Sequence, residues 1–195
     1  MKTSPVFYCL ALLLLSGTAK AQISALSETE RKQLFTEKTE ERIRDLEINI
    51  QTISDKKINR DLRREAVNTT VNYFVDEDRV FQVSSLNQPE VKNFTVRKYL
   101  SRLLVLPYSR VKIEWFETRW VSKFRQSPDG QYFGTVRVFQ VFKGYGAEGK
   151  LKYEDITSKD IEVAIKVTEM DQGRTSKEVL HVRLGDIRVV ETRAK

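Results

Sequence analysis

The chain is poor in the residues that usually build reactive sites and staples: 195 residues hold one cysteine, one histidine, four prolines and eight glycines. Each shortage removes a class of protein. The single thiol, Cys9, falls inside an apolar N-terminal run. If that run is removed, the mature chain can form no disulfide, bind no metal through sulfur and use no cysteine nucleophile. The lone His181 offers no paired histidine and no His-Glu-x-x-His spacing, so no metal site is expected. No glycine-rich phosphate loop follows a strand and no serine sits in a Gly-x-Ser-x-Gly elbow. No cofactor is expected, and the signatures of zinc, nucleotide and serine-nucleophile enzymes are missing.

What is present begins with an export pattern. Lys2 precedes an apolar stretch from Val6 to Leu15, which gives way to Ser16-Gly17-Thr18-Ala19-Lys20-Ala21. A basic start, an apolar middle and a small-x-small end describe a signal peptide over residues 1–21. The apolar stretch is about ten residues, and a spanning helix needs roughly twenty, so the chain is not expected to span a membrane. Cys9 lies within the stretch instead of following a small-residue box, which argues against a lipid anchor. A cysteine-free exported chain of this size points to the bacterial periplasm or exterior.

Without Lys2 and Lys20, 32 basic residues face 27 acidic ones, a charge of about +5. Lys56, Lys57, Arg60, Arg63 and Arg64, with Arg97, Lys98 and Arg102 further on, are the densest basic positions. They would form a cationic face if their helices lie side by side. No aromatics are interleaved for base stacking, so nucleic acid is not expected as a partner. Acidic residues are mixed in almost everywhere, the pattern of an ordinary solvated surface.

Ser27-Glu28-Thr29-Glu30 is a capping box and predicts a helix start. Downstream, Leu34, Phe35, Ile43, Leu46, Ile50 and Ile53 are the main apolar positions of a highly charged segment, and the last four are spaced as in a narrow seam. This divides the mature chain into a helical extension over 22–55, the expected element of self-association or partner docking, and a domain over 56–195. Ser54 or Asp55 can cap a second helix through Ile58, Leu62, Ala66, Val67, Val71 and Phe74. Val80 to Val83 reads as a short strand and Ser84 to Pro89 as a loop. A third helix buries Val96, Tyr99, Leu100, Leu103 and Leu104 and stops before Pro107.

The period then becomes two. Val111, Ile113 and Trp115 share one parity while Phe116, Trp120 and Phe124 take the other, a slip that requires a β-bulge. Ser127-Pro128-Asp129-Gly130 reverses the chain, and Tyr132 to Phe142, apolar on both parities, reads as a central strand. Leu151, Tyr153 and Asp155 form a short strand, and Ile161, Val163, Ile165 and Val167 a half-buried one. Asp171-Gln172-Gly173 turns the chain, Val179 to Leu184 returns, Gly185-Asp186 breaks it, and Ile187 to Val190 closes the sheet.

The order helix, helix, short strand, helix and then long antiparallel strands with a bulged hairpin resembles the nuclear-transport-factor-2-like superfamily, over about Lys57 to Thr192. The resemblance implies an α+β fold in which N-terminal helices pack against a strongly curved, mainly antiparallel sheet, with a pocket at the wide end. That fold hosts enzymes, ligand binders and docking modules alike. Its enzymes place an acid or histidine inside the cone. Here His181 reads as outward-facing, which counts against catalysis. Tyr73, Tyr99, Trp115 and Trp120 are the aromatics expected to line any pocket. The leading expectation is an exported, non-catalytic binding or interaction module. The alternatives are a cofactor-free isomerase or hydrolase, needing a buried acid in the cone, and a carrier of a small apolar ligand.

Overall fold

The computed structural model describes residues 23–171 and 176–194. The expected signal peptide therefore lies outside the described residues, as does most of the expected turn at Asp171-Gln172-Gly173. The elements are α1 (Glu28–Ser54), α2 (Arg60–Val71), β1 (Val80–Ser85), β2 (Gln88–Thr95), α3 (Val96–Leu103), β3 (Arg110–Trp120), β4 (Arg125–Gln126), β5 (Tyr132–Tyr145), β6 (Leu151–Asp171) and β7 (Ser176–Arg193). The sheet runs β2-β1-β7-β6-β5-β3, with β4 continuing the β3 edge beside β5. All pairings are antiparallel except β1 with β7, which meet in parallel at Phe81 and Ile187. This is the expected α+β architecture, three α-helices with a seven-stranded, mainly antiparallel sheet.

The helices begin where side chains can satisfy free backbone N–H groups. Ser27 Oγ accepts from Glu30 N while the Glu30 carboxylate accepts from Ser27 N, completing the capping box of α1. Asn59, not Ser54 or Asp55, caps α2 by accepting from Asp61 N. Asp55 instead closes the end of α1. Thr95 caps α3, and Pro107 lies beyond its end as expected.

The seam of α1 is fully occupied. Phe35, Ile43, Leu46, Ile50 and Ile53 are buried in the same core as Phe74, Phe81, Leu100, Ile113, Ile161, Ile165, Leu184 and Ile187. Fully burying such a side chain stabilises a fold by roughly 1.5–3 kcal/mol relative to leaving it exposed. The seam read as a docking stripe is thus covered by the chain's own sheet and by α2. Arg63 also departs from the expected cationic face. It is 7% exposed and donates through Nε to Ile53 O at 2.7 Å and through Nη2 to Leu104 O at 3.0 Å, tying the ends of α1 and α3 together.

The slip of parity in β3 is a bulge between Phe116 and Arg119, where Glu117 adopts a φ of 54°. Gly130, at φ 79°, makes the hairpin turn. Two expectations of the strands are corrected. The stretch read as a loop from Ser84 is a tight turn into β2, an edge strand of which only Phe94 is even half-buried. The breaks expected within residues 151–171 and at Gly185-Asp186 are absent as strand ends. β6 and β7 each run through, with their irregularities absorbed as register shifts near Ser158 and Glu162.

Candidate functional site

Continuity of β6 is what creates the site. Its inward positions run Ile165, Val163 and Ile161 in the packed core and then Lys159, Thr157, Asp155 and Tyr153, which line a cavity of about 230 Å³. On β5 the same boundary falls between Val138, opposite Lys159, and Gln140, opposite Thr157. Val83, Ser84 and Ser85 of β1, and Gln88, Glu90 and Lys92 of β2, make one wall. Tyr99, Arg102 and Leu103 of α3 make another, and Leu106, Tyr108 and Phe142 complete the apolar side.

Lys159 stands at the floor, 2% exposed. Its Nζ donates a long hydrogen bond, 3.3 Å, to Gln82 O and lies 4.8 Å from the centre of the Phe81 ring. Burial pushes the ammonium down to about 8, opposed by the charge of Asp155. Asp155 is 3% exposed, and burial raises its carboxyl above the usual range, although a hydrogen bond from Tyr153 and the charge of Lys159 pull the other way. Tyr153 Oη donates to Asp155 Oδ2 at 2.5 Å and accepts from Leu86 N at 2.9 Å. Its phenol is pushed up to about 12 by burial and by the carboxylate it serves. Asp155 Oδ1 has no hydrogen-bond partner among the described residues. The cavity thus holds one buried acid with an oxygen that has no partner among the described residues and one buried, weakly bonded amine, both desolvated by the surrounding side chains.

The aromatic rim is positioned by packing. Phe142 meets Tyr108 and Tyr153 edge to face, with centroids 5.9 Å apart in both cases. Tyr108 lies directly on Gly144, where an added Cβ would come within 2.5 Å of its ring. Glycine at that position lets Tyr108 sit down against the sheet.

Of the four aromatics expected to line a pocket, Tyr99 does so, stacked on Phe81 with centroids 3.6 Å apart. Trp115 stands behind the wall, its Nε1 donating to Gln140 Oε1 at 3.2 Å. Tyr73 accepts from Asn49 Nδ2 at 2.8 Å beneath the Arg42 guanidinium. Trp120 packs on Phe124 and donates to Thr36 Oγ1 at 2.9 Å. Neither of these last two reaches the cavity lining. His181 is exposed and bonds Thr168 Oγ1 at 2.9 Å. Sequence reasoning missed Lys159 and Thr157 altogether and took Asp155 only as a strand residue. The signal was there: counting back by twos from Ile165 through Ile161 lands on Lys159, Thr157, Asp155 and Tyr153.

Among the described residues no group of His, Cys, Asp and Glu stands together as metal ligands would, and no helix is long and apolar enough to cross a membrane. No family model matches the chain, and no curated protein does. One solved structure is similar, a protein from Novosphingobium aromaticivorans provisionally assigned as a scytalone dehydratase. It is 13% identical, with a TM-score of 0.45 over 86% of this chain and 91% of that one. A likeness this shallow says nothing of substrate.

Proposed function

We propose that this protein is exported and binds a small amphiphilic molecule in the cone, its polar head against Lys159 and Asp155 and its apolar body against Leu103, Leu106 and Phe142. The observation that carries this reading is a cavity in which, among the described residues, a buried carboxylate oxygen lacks a partner and a buried amine is weakly bonded. Buried polar atoms are ordinarily satisfied, so such a pair marks a place completed by something that binds. The acid that the enzymatic alternative requires is in the cavity, so ligand binding takes precedence over the docking-module expectation. The seam that would have served docking is buried in the chain's own core.

The test is native mass spectrometry of the mature protein, joined to a melting-temperature screen against small amphiphiles. Both are run on the wild type and on Ser84→Trp, which fills the cavity from its β1 wall. Retained molecules and stabilising shifts should disappear in the filled variant. Shifts that survive there would locate binding elsewhere and end this reading. N-terminal sequencing of protein from the exporting cell should begin at Gln22; a retained Met1 would refute export.

A further inference from the structure

Resting on that pocket reading, we infer that Lys159 is a nucleophilic amine that captures an aldehyde or ketone in the cone as an imine. The geometry favours this over simple charge pairing. The amine is at the floor of a cavity with an open side, buried against an aromatic face, and held among the described residues by the one long bond to Gln82 O. A lysine whose work was to hold a fixed anion would be expected to show that anion's surrogate, a carboxylate at ion-pair distance, as Lys143 does with Glu114 at 3.4 Å. The carboxylate that shares the cavity, Asp155, sits two inward positions away along β6. At about 3.3 Å of rise per residue this leaves room for a bound molecule or water between the two groups.

An amine must be unprotonated to attack. The low-dielectric floor keeps on the order of a hundredfold more free amine at neutral pH than an ordinary surface lysine has. Nitrogen attacks the carbonyl carbon, a C–N bond forms and the carbonyl π pair moves to oxygen. That oxygen takes the first of the two amine protons to become a hydroxyl; the second proton is the one that Asp155 relays. Asp155 Oδ1 accepts a proton released from nitrogen through water in the cavity and returns it to that hydroxyl. The hydroxyl leaves as water while the C=N bond forms. The net change is amine plus carbonyl to imine plus water, with no oxidant or reductant.

The experiment uses the mature wild-type chain, benzaldehyde as the probe, sodium cyanoborohydride to trap any imine, and peptide mapping to find it. A melting-temperature titration with benzyl alcohol, which has no carbonyl, runs in parallel. The expected result is benzylation of Lys159 at least tenfold faster than of any other lysine at pH 7.5. Its rate should level off above pH 8, where surface lysines are still accelerating. Asp155→Asn should slow the maximal trapping rate, read at saturating benzaldehyde, about tenfold. Labelling spread over surface lysines with Lys159 unmodified, alongside a clear benzyl alcohol shift, overturns the imine and leaves the pocket reading standing. No shift and no selective labelling removes both. Because the map is made on the wild type, the result does not depend on any variant folding.

Discussion

The two halves of β6's inward face obey opposite rules. From Ile161 to Ile165 the strand presents aliphatic side chains to other aliphatics, and its backbone pairs with β5 throughout and with β7 on either side of the register shift near Glu162. From Asp155 to Lys159, at comparable burial, it presents a carboxylate, a hydroxyl and an amine to a cavity, with the half-buried Tyr153 phenol at its end. Equal burial therefore carries opposite energetic signs. In the first half it supplies the stability of the sheet; in the second it consumes part of that stability to hold polar groups away from water. A fold that keeps such a half has traded stability for a site, a pattern expected where function overrides packing.

The largest expected effect tests the packed half. Ile161→Ala should cost about 2–5 kcal/mol in urea unfolding, since it opens a void between strands with little freedom to collapse. A loss under 1 kcal/mol would mean that the boundary between the halves lies elsewhere. Lys159→Met should move stability the other way in the ligand-free protein. An amine depressed from 10.5 to about 8 carries a destabilisation of about 3 kcal/mol that is fully present below pH 8. The folded state binds fewer protons than the unfolded chain between pH 8 and 10.5, so the stability of the wild type should rise relative to Lys159→Met across that window. Parallel curves for the two proteins would show that Lys159 is not desolvated. The smallest effect belongs to Tyr153→Phe. Losing the bonds to Asp155 Oδ2 and from Leu86 N should cost about 1 kcal/mol. It should also raise the Asp155 carboxyl further, which NMR titration of that side chain would detect.

The same contrast explains what could be read from the sequence. The packed half announces itself through alternation, and so did the helical stripes, the capping box and the bulge that lets Trp120 pack on the core although it lies off the parity of Trp115. The site half alternates too, but its inward residues are ones that ordinarily face water, so the period was there and its sign was inverted. Edge strand β2 was hidden for a different reason. With Gln88, Glu90, Val91, Lys92 and Asn93 all exposed, it buries no face and therefore shows no period. Asn59 lost to Ser54 and Asp55 as the expected cap because local chemistry permits all three. Only the path from α1 to α2, with Lys56 N bonded to Ser109 O, decides among them.

The kink at Glu117 has a consequence for the molecule's neighbours in a crowded solution. An open sheet has two flanks at which a foreign strand could add itself, and unchecked addition leads to fibres. On one flank Pro89 removes an amide and Lys92 presents a charge; on the other, the left-handed residue at Glu117 breaks the row of free amides and carbonyls before it grows long enough to serve as a template. The bulge in β3 thereby works against the protein polymerising with its own kind.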